Sequence, residues 1–278
     1  MNRNALRIDG LTPRSLGSTK SWWDGLFTRL LQDAVPLDTR QIVEIDCGLA
    51  AAAHSLLPRL PDARYLGVDT NPTRLAEAKQ QLTDAPRVAA RAEVRIAPPT
   101  NVPFDDGAAD VVLSIMSLQH MSDIPAVTGE AARLLRAGGR LVAVEPDNLG
   151  QRFYFDGVLE GINQVMHALC LKARVARQPS DIAIGPRLPE IMRAASLHGI
   201  HMVAHVVHSS RMETAKDFFT RLHRVARTVA REAGLDEEDE AVEAVVSEAN
   251  RSLFADLPKR LGYSSHTVPV FLCHGTKR

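Results

Sequence analysis

Short apolar runs alternate with amphipathic stretches over the first half of the chain. Strands are predicted at 41–45, 64–68, 91–96, 110–115 and 140–144. Helical spacing of apolar residues lies between these runs, in a segment that ends near Pro58 and over 72–82 and 124–135. Apolar strands that alternate with helices are typical of a parallel sheet covered on both faces. The pattern therefore predicts an α/β fold with a doubly wound sheet.

The regions on either side of this core have other patterns. Residues 20–34 have near-helical apolar spacing and predict an N-terminal helix capped by Ser21. After Pro146 the sequence predicts helices over 150–178, 188–198 and 212–257 and strands over 200–208 and 267–273. We expect a single domain over 1–278 with an N-terminal helical lid (1–40), a core (41–146), a helical lid insertion (147–185) and C-terminal strands (186–278) that carry the helical insertion 212–257.

Composition narrows the possible partners and compartment. The 278 residues are 45% hydrophobic, enough for a sizeable core. The 33 basic and 33 acidic residues balance, which argues against a nucleic-acid partner. Cys47, Cys170 and Cys273 form no CxxC pair, which argues against a structural zinc site or a disulfide framework. Residues 1–20 lack the apolar stretch of a secretory signal and no apolar run is long enough to span a membrane, so we expect a cytoplasmic protein with no membrane partner.

The turn after the first strand is the first candidate binding site. Ligands of doubly wound sheets bind at the carboxyl ends of the strands, and Gly48 in this turn can adopt a positive φ at no steric cost. Asp69 ends the second strand, 21 residues after Gly48. At about this spacing an acidic residue reaches the hydroxyl pair of a ribose. The alternatives are an ordinary turn at Gly48 and a helix N-cap at Asp69.

Five segments in order carry a resemblance to a known family. They are VEIDCGLA at 43–50, LGVDTNP at 66–72, VPFDDGAADVVLS at 102–114, SLQHM at 117–121 and LLRAGGRLVAVEP at 134–146. Together they resemble the class I S-adenosylmethionine-dependent methyltransferases, in particular the branch that acts on small molecules. The resemblance implies a Rossmann-like sheet of seven strands, mostly parallel with an antiparallel last strand, plus helical lid insertions.

The resemblance also implies the residues that bind S-adenosylmethionine: Glu44, Asp46, Cys47, Gly48, Asp69, Thr70, Asn71, Pro99, Ser114, Ile115 and Met116. Glu44 would lie near the amino group of the methionine part, and Cys47 and Gly48 would lie under the cofactor. Asp69 would hold the ribose hydroxyls, with Thr70 and Asn71 beside the adenosine. The segment from Ser114 to Met116 would approach the methionine part and the sulfonium. Glu44 as a buried acid paired elsewhere, and Cys47 as a small packing residue, are the alternatives.

The chain departs from the family pattern at three positions. Asp46 and Ala50 stand where the family usually has glycines, and Asp46 either holds the methionine ammonium group or shapes the loop through backbone hydrogen bonds. Pro98 replaces the acid that commonly reaches the adenine amino group. These departures keep a non-catalytic, cofactor-binding scaffold or regulatory subunit open as an alternative. A nicotinamide-dependent oxidoreductase is disfavoured, because the turn is not GxGxxG and no Tyr-x-x-x-Lys pair matches.

Candidate catalytic residues follow from the chemistry that the resemblance implies. The cofactor supplies the electrophile, so a general base is needed only where the acceptor must lose a proton. His120 is the first candidate base and Glu145 the second; a structural role is the alternative for each. Aromatic residues in the predicted lid segments, Trp22, Trp23, Phe153, Tyr154 and Phe155, suit either an apolar acceptor or core packing. We expect O- or N-methylation of a small molecule in specialised metabolism, by a monomer or homodimer that uses no metal.

Overall fold

The computed structural model describes residues 25–156, 160–236, 238–253 and 261–278, with the side chains of 250–253 left out. The predicted cap at Ser21 and the aromatic residues Trp22 and Trp23 lie outside the described residues. Two compact units divide the chain. The sheet unit consists of 25–145, 184–204 and 271–278, and the described part of the helical unit comes from 146–183 and 205–270.

In chain order the elements are α1 (Gly25–Ala34), β1 (Gln41–Ile45), α2 (Ala51–Leu56), β2 (Arg64–Asp69), α3 (Pro72–Thr83), α4 (Pro86–Ala89), β3 (Ala92–Ile96), β4 (Ala109–Ile115), α5 (Ile124–Leu134), β5 (Leu135–Pro146), β6 (Arg152–Phe155), α6 (Glu160–Ala176), α7 (Leu188–Ala194), β7 (His198–Thr214), α8 (Ala215–Ala233), α9 (Glu240–Leu253) and β8 (Leu261–Thr276). Single turns of 3₁₀ helix lie at Leu118–His120 and Gly185–Arg187.

The sheet unit has the predicted doubly wound order. Strands run β3-β2-β1-β4-β5, and all four neighbouring pairs are parallel. β8 lies beside β5, and β7 pairs with β8. The first four strands agree with their predicted bounds to within one residue, whereas β5 begins earlier, at Leu135. The order in which strands are added reverses between β1 and β4, because β2 and β3 lie on one side of β1 and β4 and β5 lie on the other. Ligands of such sheets bind at this position.

Helix α3, which follows the second strand, shows how local sequence fixes this geometry. Asn71 is the N-cap residue, and its side chain accepts hydrogen bonds from the backbone N–H groups of Thr73 and Arg74 at 3.0 and 3.1 Å. Pro72 begins the helix, where its missing N–H costs nothing. A stripe at helical spacing, Leu75, Ala78 and Leu82, is buried. Asn71 and Pro72 therefore start the helix directly after the turn that follows Asp69.

The helical unit departs from prediction at residues 152–155. The predicted helix over 150–178 is wrong there, because β6 occupies these residues and α6 begins only at Glu160. β6 pairs antiparallel with residues 264–267 of β8. Its side chains alternate, with Phe153 and Phe155 buried, so the aromatic run is a strand with one apolar face. The described residues thus hold eight strands, where the sequence predicted seven.

The helical unit has its own apolar core. β7 and β8 are longer than predicted, and the predicted helical insertion 212–257 begins at Ala215 and divides after Gly234, whose φ is +69°. Helices α6, α8 and α9 pack with the apolar face of β6 around one buried cluster. The cluster includes Phe218 and Leu222 of α8 and Val245 of α9. Phe153 and Phe155 belong to this cluster. For these two aromatic residues the structure therefore shows the core-packing alternative. Among the described residues, no helix has the length and apolar character needed to cross a membrane.

Candidate functional site

The turn after β1 carries three left-handed residues. Asp46, Gly48 and Ala50 have φ values of 57°, 56° and 55°. The positive φ predicted for Gly48 is confirmed. Asp46 and Ala50 adopt a conformation that costs an L-residue about 1 kcal/mol or more, so the turn keeps a glycine-type backbone at two positions without glycine. A Cβ added to Gly48 would meet no heavy atom within 4 Å, so the turn leaves open space at this residue.

Asp69 connects the turn to the end of β2. Its Oδ2 accepts a hydrogen bond from the Gly48 N–H at 3.1 Å, and its Oδ1 accepts from the Asn71 N–H at 2.8 Å and from Arg74 Nη2 at 2.9 Å. The N-cap of α3 is Asn71, so the alternative that Asp69 caps this helix is wrong. Burial and the neighbouring Asp46 raise the pKa of Asp69, while the Asn71 N–H and Arg74 oppose the rise.

A chain of hydrogen bonds joins the carboxyl ends of β1, β4 and β5. The Ser117 hydroxyl donates to Asp46 Oδ2 at 3.1 Å. Glu145 Oε1 accepts from the backbone N–H groups of Ser117 and Leu118 at 2.8 and 2.7 Å, and Oε2 accepts from that of Gln119 at 3.4 Å. Glu145 is fully buried, and burial raises its pKa to about 8 against the effect of these three donors. The geometry favours the structural alternative for Glu145.

A second acid lies in β1, below the turn. The Tyr65 hydroxyl donates a hydrogen bond to the carboxyl group of Glu44, and burial raises the pKa of Glu44 to about 8. Burial also raises the pKa of the Cys47 thiol, which is typical of a packing residue. A Cβ on Gly67 would lie 2.7 Å from Cys47 Sγ and 3.0 Å from Tyr65 Oη. Gly67 therefore leaves the space that Cys47 and Tyr65 fill.

The end of β4 adds the remaining strand-end residues. Ser114 is buried, and its Oγ has no hydrogen-bond partner among the described residues. Ile115 and Met116 are half-buried, and Met116 has a φ of 54° while its N–H donates to the Val144 carbonyl at 2.7 Å. His120 ends the 3₁₀ turn and is half-buried, with its backbone N–H bonded to the Ser117 carbonyl.

Three predicted residues lie at the margin of this group. Thr70 is exposed, and the Asn71 side chain is used as the cap of α3. Pro99 is half-buried in the loop after β3. That loop begins beside Asp69, because the Ala97 N–H donates to the Asp69 carbonyl at 3.2 Å. Pro99 follows Ala97 by two residues, so this backbone hydrogen bond places the start of its loop beside Asp69.

Two residues of the site were missed in the sequence. Arg74 contacts both Asp69 and Asp46, and Ser117 links the turn after β1 to Glu145. Arg74 lies only five residues after Asp69, in the first turn of a helix with a clear Asn-Pro start. This short separation was the signal in the sequence that could have identified Arg74 as a partner of Asp69. Ser117 begins the segment SLQHM, but nothing in its spacing indicates a contact with Asp46.

The arrangement suits a polar nucleoside with an amino-acid part. Asp69 Oδ2 accepts one hydrogen bond and keeps further acceptor capacity for a hydroxyl. Open space at Gly48 allows close approach to the backbone, and the buried Ser114 hydroxyl lacks a partner that a ligand would supply. Half-buried Ile115 and Met116 offer apolar contact. These features fit the donor and acceptor set of an adenosyl compound.

Comparison with known proteins gives a family for this part of the chain. Residues 43–143 match the methyltransferase domain family. Phthiotriol/phenolphthiotriol dimycocerosates methyltransferase of Mycobacterium leprae (strain TN) is 34% identical over 109 residues, which are 38% of this chain and 38% of that protein. Trans-aconitate 2-methyltransferase of Acidovorax sp. (strain JS42) is 31% identical over 112 residues, 40% of each.

The fold has relatives among solved structures over nearly the whole chain. A geranyl diphosphate methyltransferase in complex with SAM superposes with a TM-score of 0.51 and 13% identity, covering 91% of this chain and 85% of that chain. Identity this low shows similarity of fold alone. In sequence, this chain spans 30% to 40% of the length of the first four curated relatives. The family match over residues 43–143 includes the strands and turns that form the site.

Proposed function

We propose that this chain, whose residues 43–143 form a methyltransferase domain of the class I S-adenosylmethionine-dependent type, transfers a methyl group from that cofactor to a small-molecule acceptor. The observation that carries the proposal is the hydrogen bond between Asp69 and the Gly48 N–H. It joins a left-handed, glycine-type turn to an acid at the end of the next strand. This pair is what a ribose and its attached groups require in a doubly wound sheet.

The strand-end residues divide the cofactor among them. Asp69 binds the ribose hydroxyls, with Thr70, Asn71 and Pro99 near the adenosine. The backbone of Cys47 and Gly48 lies under the ligand, and Glu44 and Asp46 lie toward the methionine amino group. Ser114, Ile115 and Met116 lie along the methionine part. The buried, unpartnered Ser114 hydroxyl and the open space at Gly48 support this assignment.

The bound cofactor supplies an activated methyl group on a sulfonium sulfur. The protein then has to align the acceptor and exclude water, for which Ile115 and Met116 offer apolar surface. His120 acts as general base where the acceptor is a hydroxyl, by taking its proton on the imidazole ring. Glu145 is a positioning residue, since its carboxyl oxygens accept the backbone hydrogen bonds of 117–119.

The acceptor is a small molecule, methylated on oxygen or nitrogen, in specialised metabolism. The name of the similar trans-aconitate 2-methyltransferase specifies a small-molecule acceptor, and this supports the proposal. The non-catalytic scaffold remains the second candidate, because Asp46 and Ala50 stand at positions where the resemblance leads us to expect glycine. A scaffold would bind the cofactor and transfer no methyl group, which separates the two functions by experiment.

Calorimetry on the full chain tests the proposal. S-adenosylhomocysteine, the spent form of the donor, should bind and raise the melting temperature, whereas NADH should do neither. Asp69→Ala should weaken S-adenosylhomocysteine binding by about tenfold or more, because a charge-assisted pair of hydrogen bonds is lost. Asp62→Ala, an exposed acid in the turn before β2, is the matched control and should bind like the wild type.

Three results would contradict the proposal or one of its assignments. If well-folded protein binds neither S-adenosylmethionine nor S-adenosylhomocysteine, then S-adenosylmethionine is not its cofactor. Binding without transfer of labelled methyl groups to any small molecule of a cell extract would favour the scaffold. Unchanged affinity in Asp69→Ala would show that the ribose anchor is another residue.

A further inference from the structure

Arg74 places a guanidinium group between two acids of the proposed cofactor site. Its Nη2 lies 2.9 Å from Asp69 Oδ1 and 3.6 Å from Asp46 Oδ1. The Arg74 side chain is 12% exposed, and those of Asp69 and Asp46 are 0% and 5% exposed. Water therefore screens these charges poorly, and their mutual interactions are stronger than those of surface pairs.

The acids around Arg74 come from several elements. Glu44 and Cys47 lie on and just after β1, Tyr65 lies on β2, and Glu145 lies at the end of β5. Repulsion from Asp46 and Asp69 favours the protonated form of Glu44, and repulsion from Asp46 does the same for Glu145. Where two carboxylates share a site, the charge of one raises the pKa of the other, and a positive partner opposes this rise. Arg74 is a cation that contacts both Asp46 and Asp69.

The ionised form of Asp69 matters for the ligand. A carboxylate only accepts hydrogen bonds, with about two sites on each oxygen. Asp69 Oδ1 already has two donors, Asn71 N–H and Arg74 Nη2, whereas Oδ2 has one, from Gly48 N–H. A proton on Asp69 would turn an acceptor into a donor and remove a site that a ribose hydroxyl needs. The open acceptor site on Oδ2 is the one that a ribose hydroxyl would use.

We propose that Arg74 is a positioning residue whose positive charge, held beside Asp69 and Asp46, favours the ionised form of Asp69, so that Asp69 accepts a ribose hydroxyl at neutral pH. This inference rests on the proposed function of the site. It makes cofactor affinity depend on the charge of a residue that carries none of the assigned ligand contacts. Without Arg74, the pKa of Asp69 rises, and the protonated carboxyl group has fewer acceptor sites for the nucleoside.

The test compares S-adenosylhomocysteine dissociation constants by calorimetry at about pH 6 and pH 9. The ratio of the Arg74→Gln constant to the wild-type constant should be about tenfold or more at pH 6 and should shrink toward pH 9, since each pH unit below a raised pKa costs about a factor of ten. Taking the ratio removes effects that both proteins share, such as titration of Glu44 and of the ligand amino group.

Two further variants separate charge from shape. Arg74→Lys keeps the positive charge and should show a ratio near one at both pH values. Asp46→Asn combined with Arg74→Gln removes the second acid together with its counter-ion, so its ratio should change less with pH than that of Arg74→Gln. A ratio for Arg74→Gln that is equal at pH 6 and pH 9 would overturn the proposal.

A measurement on the cofactor-free protein keeps this inference distinct from the proposed function. Carbon NMR of labelled aspartate carboxyl groups should show a carboxyl titrating at higher pH in Arg74→Gln than in the wild type. Where Arg74→Gln does not fold, Asp46→Asn replaces it and should lower the pH at which Asp69 titrates, because a neighbouring negative charge is gone. An unchanged Asp69 titration there would overturn the proposal, whether or not the wild type binds S-adenosylhomocysteine.

Discussion

At the residue scale, the turn after β1 shows that different residue types can share one backbone conformation. The sequence has glycine at only one of the three left-handed positions, yet Asp46 and Ala50 adopt nearly the same φ as Gly48. Surrounding contacts hold Asp46 in this conformation, since its carboxylate accepts from the Ser117 hydroxyl and lies near Arg74. A departure from the family pattern in sequence is thus not a departure in backbone geometry.

Substitution of Asp46 measures the strain that this position stores. Asp46→Gly and Asp46→Ala both lose the side-chain contacts, but only alanine keeps a Cβ in the left-handed region. We expect the free energy of unfolding of Asp46→Gly to exceed that of Asp46→Ala by about 1 kcal/mol. Urea unfolding of the two variants gives the difference. An alanine variant as stable as the glycine variant would show that the turn relaxes out of this conformation.

His120 and Glu145 differ in what their removal should change. His120→Ala should slow methyl transfer to a hydroxyl acceptor by about a hundredfold and leave the S-adenosylhomocysteine dissociation constant nearly unchanged. Glu145→Gln should instead lower the free energy of unfolding by about 1–3 kcal/mol, because the amide cannot accept all three backbone hydrogen bonds. His198→Ala, at an exposed position of β7, is the control for His120. Equal turnover in His120→Ala and the control would exclude His120 as the base.

At the element scale, a glycine in β2 leaves room for the side chains that pack beneath the turn after β1. Gly67 pairs with Glu44 of β1 and Val94 of β3, so it lies in the middle of three parallel strands. Its missing side chain gives room to Cys47 and Tyr65, and the Tyr65 hydroxyl reaches Glu44 through this space. The position of the turn relative to the sheet therefore depends on a glycine in a strand, where glycine is otherwise unfavourable.

Two glycine-to-alanine substitutions test this dependence. Gly67→Ala brings a methyl group within 2.9 Å of Cys47 Cβ and should cost about 1–3 kcal/mol of stability, with weaker S-adenosylhomocysteine binding. Gly129→Ala is the control, because Gly129 lies exposed in α5 with nothing within 4 Å of the added Cβ. It should raise stability by about 0.5–1 kcal/mol through helix propensity. Equal melting temperatures for the two variants would contradict this account of Gly67.

At the scale of the whole molecule, buried ionisable groups set how stability changes with pH. Burial raises the pKa of Glu44 and Glu145 to about 8 and lowers that of His266 to about 3 and that of His274 to about 4. Between the ordinary pKa of a glutamate, 4.5, and about 8, the folded state holds protons that the unfolded state has released. Glutamate burial therefore lowers stability as pH rises through this range. The histidines have the opposite effect, and only below their ordinary pKa of 6.5.

The free energy of unfolding should accordingly fall between pH 6.5 and about pH 8, where the folded state holds protons on Glu44 and Glu145 that the unfolded state has released. Glu44→Gln should reduce this fall by up to about 2 kcal/mol, since the amide carries no charge to bury. Glu190→Gln, at an exposed position of α7, is the control and should keep the wild-type fall. Urea unfolding at the two pH values measures both. A fall of the same size in Glu44→Gln would show that Glu44 is not the buried acid responsible.

The sequence by itself determined the sheet, the turn and the acid. Hydrophobic patterning placed β1 to β4 within one residue. β1, β2 and β4 are mostly buried and therefore largely apolar, whereas β3 at the sheet edge has a single buried residue, Val94. Spacing singled out Gly48 and Asp69, because a strand–turn–helix unit fixes the distance between them. The helix predicted at 152–155 failed because an aromatic run has no period of its own, and only pairing with β8 makes it a strand.

Tertiary structure alone decided the electrostatics of the site. Ser117 meets Asp46 across a separation of 71 residues, and Arg74 lies between two acids from different strands. The contacts of Ser117 and Arg74 with Asp46 depend on which strand ends adjoin, and local pattern carries no information about that. Burial then decided the proton affinities of Glu44 and Glu145. Their sequence positions show that they are acids, but only a three-dimensional surrounding shows how far each carboxyl group is from water.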